Sequence, residues 1–293
     1  MKLNLLQEAK RIRNTSQDLI DWNDPKPKYS KKINGILRVC EPSLLGNEKK
    51  YVMDCLKTGW ISSHGKYINK FEKLFAKKVG AKYAVATSSG STAIHLAAHI
   101  VGLKKGDEVI IPTATMVATA NMVKITGATP VFVDIEERTW NLNTDLVEKK
   151  ITKKTKAIMP VHLYGHPAEM DKIKKLAKKH KLLVIEDGAE AHGALYKNKK
   201  IGSIGDITIF SFFANKNITS GEGGMLVTNN KEIYELAANV RNQSFSKKRH
   251  FWHKHIGFNY RMTNLQAAIG LAQTENLEKL VNKRINNAKI YNK

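Results

Sequence analysis

Three groups of residues in this chain have the types and spacing to do chemistry together. Lys216 sits in Ser211-Phe-Phe-Ala-Asn-Lys-Asn-Ile-Thr-Ser-Gly-Glu-Gly-Gly224. A loop lysine is ordinarily a solvated cation. One flanked by aromatic residues and a glycine-rich turn is partly withdrawn from water, which favours the neutral amine that adds to a carbonyl as a Schiff base. Asp187 closes the apolar run Leu182-Leu-Val-Ile-Glu-Asp187. A carboxylate at such a strand end could coordinate Mg²⁺, act as a base, or pair with a cationic ring nitrogen, and capping of the following Gly-Ala-Glu-Ala-His-Gly segment is as good a reading. Thr87-Ser-Ser-Gly-Ser-Thr92 supplies small residues with free N–H groups at a helix start, the makings of a phosphate cradle, although an ordinary Ser/Thr cap looks the same. An enclosed amine, a strand-end carboxylate and a phosphate cradle together fit pyridoxal phosphate.

These groups need a frame that brings them together. Apolar runs at Tyr83–Thr87, Glu108–Pro112, Pro130–Asp134, Ala157–Val161, Leu182–Glu186, Ile207–Ser211 and Met225–Thr228 read as strands, several apolar on both faces as in parallel sheets. Helical patterns at Thr92–Val101 and Met170–His180 fall between them, giving the βαβ signature of an α/β fold, whose ligands bind at the carboxyl ends of the strands. Amphipathic helices are expected at Glu48–Thr58 and Ile68–Val79, and another at Asn264–Lys283. Residues 1–33 are polar and proline-bearing and read as an extension or linker, 34–275 as the large domain, and 276–293 as the start of a further one.

Composition narrows the class. Of 293 residues, 42% are hydrophobic, enough to fill a core. The net charge of +23 suits either nucleic acid or an anionic substrate. Basic clusters lie at 149–156, 172–181 and 247–255. The first two read as solvated faces. The third mixes aromatic with basic residues, but no helix-turn-helix, RNP or zinc pattern accompanies it, so a positive funnel for an anionic substrate needs fewer assumptions. Two cysteines, Cys40 and Cys55, make neither a CxxC pair nor a disulfide framework. The charged start MKLNLLQEAKRIR is unlike a signal peptide, and no apolar stretch is long enough to span a bilayer. The chain reads as cytoplasmic.

The motifs GWISSHGKYINKFE, SSGSTAIHLA, GDEVIIPTATMVATAN, PVHLYGHPAEMD, VIEDGAEAHGA, GDITIFSFFANKNITSGEGGMLVT and HIGFNYRMTNLQAAIG closely resemble the DegT/StrS family of sugar-nucleotide aminotransferases, with the look of its perosamine synthases. The resemblance runs from about residue 38 to 285. It implies a fold-type I pyridoxal-phosphate aminotransferase with a seven-stranded, mostly parallel sheet sandwiched by helices, working as a homodimer. It makes Lys216 the lysine that carries the cofactor and Asp187 the partner of the pyridine N1–H. Gly90, Ser91 and Ser211 would hold the phosphate, which Asn259 would reach from the partner subunit. Ala189 would lie against the ring and Glu190 near its substrate side. Met116 stands where many relatives carry a stacking aromatic ring. His162 and His192 fall close to the site as packing or supporting groups.

The implied reaction is transamination of a nucleotide-linked 4-keto-6-deoxy sugar, with glutamate as donor and 2-oxoglutarate released. Relatives with His in place of the lysine act as dehydratases, and Lys216 argues against that outcome. Relatives also continue well beyond the point matching Lys293, so the small C-terminal domain is expected to be largely missing. That leaves a second reading, a non-catalytic protein of the same fold that pairs with or regulates a relative. It also leaves open which nucleotide (GDP, UDP or dTDP) is involved.

Overall fold

The computed structural model describes residues 40–246 and 248–292; the extension expected over residues 1–33 lies outside them. Residues from Glu41 onward form one compact unit. The chain enters it through α1 (Glu48–Thr58) and α2 (Lys66–Val79), each stopped by a glycine in the left-handed region, Gly59 at φ 72° and Gly80 at φ 75°, which turns the chain without a β-carbon clash. Then β1 (Tyr83–Thr87), α3 (Gly90–Ile100), β2 (Glu108–Pro112), α4 (Val117–Ile125), β3 (Thr129–Val133), the single-turn α5 (Thr144–Val147), β4 (Thr155–Ile158), α6 (Met170–His180) and β5 (Leu183–Asp187) alternate as the βαβ pattern requires. A small hairpin, β6 (Leu195–Tyr196) with β7 (Lys199–Lys200), precedes β8 (Ile207–Ser211) and β9 (Gly224–Thr228). Helices α7 (Lys231–Arg241), α8 (Asn264–Glu275) and α9 (Leu277–Tyr291) follow.

Seven strands make one sheet in the order β1-β9-β8-β5-β4-β2-β3. Every pairing is parallel except the two made by β9, which runs against both β1 and β8. The ends of β1, β5 and β8 therefore open on the same edge, so Thr87, Asp187 and Ser211 are neighbours although far apart in sequence.

Side chains alternate across a strand, and the sheet divides its apolar residues accordingly. Val184, Phe210, Met225 and Val227 face one core layer with Phe71 and Phe75 of α2 and Ala267, Ala268 and Leu271 of α8. Ile185, Ile207, Ile209 and Leu226 face the other, against α3, α4 and α7. This parity puts Asp187 on the face of Ile185, under α4, and Glu186 on the opposite face.

Most elements shift by one or two residues from their sequence-based bounds, and at three places the shift has a visible local cause or consequence. Helix α3 begins at Gly90 rather than Thr92, because Ser89 and Thr92 cap it reciprocally. Strand β4 ends at Ile158, short of Val161, and beyond it only an isolated bridge joins Val161 to Asp187. The single helix expected over Asn264–Lys283 is broken at Asn276 (φ −103°, ψ 11°), whose side-chain amide donates to Ala272 O at 3.1 Å; α9 starts afresh beyond it, with Leu277 in the core. No helix among the described residues is long and apolar enough to cross a membrane.

Phe71, Phe75, Phe210 and Phe212 are all fully buried and meet edge-on or tilted, with ring centroids 4.9–6.0 Å apart. Phe75 touches both Phe210 and Phe212. Phe75→Ala should lower stability by about 3–5 kcal/mol, the usual cost of a large cavity in a packed core, measured as a fall in the urea midpoint at unchanged slope.

Candidate active site

A cavity of about 330 Å³ opens where β1, β5 and β8 end. Its first wall is the start of α3. Ser89 Oγ accepts from Thr92 N at 3.1 Å, and Thr92 Oγ1 accepts from Ser89 N at 3.0 Å. This capping box fixes the helix start, and Gly90 and Ser91, whose amides belong to the first turn, line the cavity. A β-carbon on Gly90 would come within 2.9 Å of Ser211 Cβ, and one on Gly224 would collide with the Ser89 carbonyl. Glycines are thus what let the ends of β8 and β9 press against this cradle.

Asp187 forms the floor. Its side chain is buried; Oδ2 accepts from Thr119 Oγ1 at 2.7 Å and Oδ1 from Ala189 N at 3.1 Å. Thr115 Oγ1 lies 2.8 Å from Thr119 Oγ1, extending the hydroxyl chain toward the cavity. Burial raises the Asp187 pKa above the ordinary carboxylate range, opposed by these two hydrogen bonds and more weakly by the nearby charge of Lys216. Next door, Glu186 points the other way. Ala168 N–H donates to His162 Nδ1 at 3.1 Å, so the imidazole proton is on Nε2 and is donated to Glu186 Oε2 at 3.0 Å. Glu186 Oε1 also accepts from Gly205 N and Thr208 Oγ1. His162 is therefore consumed by a buried structural pair.

Lys216 reaches the cavity from the loop after β8, with its side chain only 16% exposed and Nζ 3.2 Å from Glu190 Oε1. Glu190 is itself anchored, since Oε2 accepts from Tyr164 N at 2.8 Å. Tyr164 pays for this contact with left-handed backbone (φ 50°, ψ 24°), a strained state for a bulky residue. Below the loop, His192 is buried with neither ring nitrogen hydrogen-bonded and is boxed by Phe75, Phe210 and Phe212. Burial, then the nearby charges of Lys216 and Arg284, push its pKa down to about 3, against a weak opposing pull from the Ser211 backbone whose geometry falls short of a hydrogen bond. It stays neutral across the ordinary pH range. From α9, Arg284 Nη2 lies 3.5 Å from the carbonyls of Asn215 and Lys216.

The residues singled out from sequence therefore meet in one place: Gly90, Ser91, Met116, Asp187, Ala189, Glu190, Ser211 and Lys216 all line the cavity. Met116 does so from the rim, as the residue before α4, and is 74% exposed. Asn259 does not line it; it is exposed on the same chain and accepts from Arg261 Nε at 2.8 Å. Sequence reasoning missed Thr119 and Tyr164, while Phe213, one of the aromatic residues flanking Lys216, lines the cavity as expected. Thr115 and Thr119 stand four apart in Pro-Thr-Ala-Thr-Met-Val-Ala-Thr, the spacing of one helix face, which was the available signal. Nothing local marks Tyr164, because its role is a backbone N–H.

The donor set fits pyridoxal phosphate. A glycine and serine cradle that a β-carbon would fill, a buried carboxylate held by neutral donors and the Lys216 amine line one cavity. Such a constellation on a mostly parallel seven-stranded sheet defines a fold-type I pyridoxal-phosphate enzyme. Residues 42–293 match the DegT/DnrJ/EryC1/StrS aminotransferase family, and the chain belongs to that family. It is 52% identical over 255 residues to the GDP-perosamine synthase of Escherichia coli O157:H7, covering 87% of this chain and 70% of that one. It is likewise 52% identical over 242 residues to the GDP-perosamine synthase of Caulobacter vibrioides, covering 83% and 65%. Among solved structures, the putative sugar aminotransferase Spr1654 from Streptococcus pneumoniae in its PLP form superposes with a TM-score of 0.83 at 28% identity, covering 87% of this chain and 70% of that one. The Helicobacter pylori aminotransferase PseC, involved in pseudoaminic acid biosynthesis, gives 0.78 at 34% identity, covering 82% and 66%. The chain thus spans about two thirds of the length of these relatives.

The raised pKa of Asp187 has a consequence for stability. The folded state holds this proton more tightly than the unfolded chain, so ionising Asp187 destabilises the fold; that penalty is absent in acid and develops as pH rises through the carboxylate range. Asp187→Asn should therefore stabilise the cofactor-free protein relative to the parent at neutral pH, with the gain shrinking to nothing in acid. Urea unfolding at the two pH values measures it, and the same variant should lose its hold on pyridoxal phosphate.

Proposed function

We propose that this chain transfers an amino group from glutamate to the 4-keto group of a nucleotide-linked 4-keto-6-deoxy sugar, as a perosamine-synthase-like enzyme. The observation that carries the reading is the convergence of Lys216 Nζ, the Asp187 carboxylate and the Gly90–Ser91–Ser211 cradle on one cavity. The names of the relatives support the substrate class.

Pyridoxal phosphate, when bound, supplies an electron sink for the carbanion formed at the donor's α-carbon. Ser91, Ser211 and the first-turn amides of α3 hold its phosphate, where the helix dipole favours an anion. Asp187 would keep the ring nitrogen protonated, which would strengthen the sink and give the buried carboxylate a cationic partner. Ala189 is small enough to leave room against the ring. Lys216 Nζ would anchor the cofactor and would supply the amine that holds and returns the transferred proton, as general base and then acid. Glu190, fixed by Tyr164 N–H, orients that amine. The same residues run the second half of the reaction in reverse on the keto sugar.

Two further assignments belong to this proposal. The molecule acts as a homodimer in which Asn259 of one copy completes the phosphate site of the other, consistent with its position outside its own cavity. The enzyme works in the cytoplasm, where nucleotide-linked sugars are made.

Borohydride reduction of the protein after addition of pyridoxal phosphate should fix the cofactor on Lys216, read by peptide mass. Lys216→Ala should abolish the fixation and lower amino transfer by about 10²–10⁴-fold, the span of a lost general base. Retention of cofactor on Lys216 without any transfer from glutamate would favour the non-catalytic reading instead.

A further inference from the structure

Two hydroxyls stand behind Asp187 in an arrangement that neither helix formation nor core packing requires. Thr119 is the third residue of α4 and is fully buried. A buried helical threonine commonly returns its hydroxyl to a carbonyl three or four residues back, as Thr274 does to Gly270 O at 2.7 Å in α8. Thr119 instead donates at 2.7 Å to Asp187 Oδ2, across 68 residues of sequence. An ionised carboxylate only accepts, so the Thr119 proton is committed to it. The proton in the 2.8 Å contact between Thr115 and Thr119 must then come from Thr115. Thr115 lines the cavity just ahead of α4, and its donation leaves the Thr119 hydroxyl one orientation.

The direction of this chain matters because of what Asp187 would share with a pyridine ring. One proton would lie between the ring nitrogen and the carboxylate, and it would rest on the more basic of the two. Burial makes Asp187 more basic than an ordinary carboxylate; the Thr119 hydrogen bond is the largest opposing influence, ahead of the Ala189 amide. The charged and titratable groups nearby leave this task to the hydroxyl. Lys216, Glu190 and Glu222 line the same cavity, with Lys216 paired to Glu190. Glu186, on the opposite face of the sheet, is paired with His162, and His192 below the lysine loop stays neutral. Lys124 of α4 is exposed in that helix's last turn.

We propose that Thr119 is a positioning residue, locked by Thr115, that keeps the proton shared between Asp187 and a bound pyridine ring on the ring nitrogen. It acts through the carboxylate and touches no reacting atom. By donating to Oδ2 it fixes the orientation of the carboxylate and lowers its pull on that proton. This role rests on pyridoxal phosphate as the group that fills the cavity, whichever amino acceptor the chain serves.

The test is nitrogen NMR of the full chain loaded with pyridoxal phosphate that is isotopically labelled at the ring nitrogen. The ring signal of the parent should lie at its protonated position at neutral pH. Thr119→Val should move it toward the unprotonated position, and Thr119→Ser should leave it where the parent has it. Thr115→Val should move it the same way by less, and should add nothing to Thr119→Val. Urea unfolding of the cofactor-free chain gives a second reading. Ionised Asp187 loses more with its donor than neutral Asp187 does, so Thr119→Val should raise the unfolding constant about tenfold more at neutral pH than in acid. In an Asp187→Asn background that pH dependence should vanish. A ring signal unmoved by Thr119→Val, or a parent signal at the unprotonated position, overturns the proposal. So does a stability cost equal at both pH values, the mark of a packing role. Additive shifts from the two threonines overturn the locking by Thr115. Should Thr119→Val fail to fold, Thr115→Val carries the same test from the other hydroxyl. Failure of the cofactor reading shows separately, as no borohydride-fixed cofactor on Lys216.

Discussion

A carboxylate taken out of water and given only neutral hydrogen-bond donors is the constraint on which the rest of this structure turns. Asp187 has Thr119 and the Ala189 amide as its partners, and burial raises its pKa. A core that merely needed filling would not keep such a group. Its position follows from strand parity: one residue of slip in β5 would exchange Asp187 with Glu186, carrying the cavity's carboxylate into the face where His162, Gly205 and Thr208 already satisfy an acid. Two adjacent acids in one strand thus do unrelated jobs, one in a closed structural network and the other open to a cationic partner.

Around that carboxylate, the site is assembled by elements that each solve a local problem. The capping box of α3 keeps the helix start rigid while leaving its first amides for an anion. Glycines at 90 and 224 allow three strand ends to close on that start. The strained backbone of Tyr164 delivers an N–H to Glu190, which holds Lys216. Arg284 of α9 reaches the carbonyls of the lysine loop, so the last described helix is tied to the active-site loop as well as to the core through Leu277.

The large positive charge of the chain is spread unevenly in its consequences. Surface lysines in α6 pair with Asp145, Glu148 and Glu169 at exposed positions, where ion pairs add little. The charge with a local role in the cavity is Lys216 beside Glu190. Net charge draws anions toward the molecule, but local placement decides where an anion can stay.

Much of this was legible in the amino-acid sequence. Apolar runs separated by amphipathic helices marked the α/β sheet, since burial on both faces leaves that pattern, and the types and spacing around Lys216, Asp187 and Ser88–Thr92 marked the chemistry. The ends of elements were less legible: the Asn276 break and the early start of α3 depend on side-chain caps that compete with helical continuation. Only the tertiary structure decided that β9 runs antiparallel between β1 and β8, which brings the cradle within reach of Ser211. It alone showed Thr119 beneath Asp187 and the Tyr164 amide on Glu190. The physical reason is that composition and periodicity report which residues are buried and which face they share. Partners 68 residues apart, such as Thr119 and Asp187, or a donor that is only a backbone N–H, leave no mark on either.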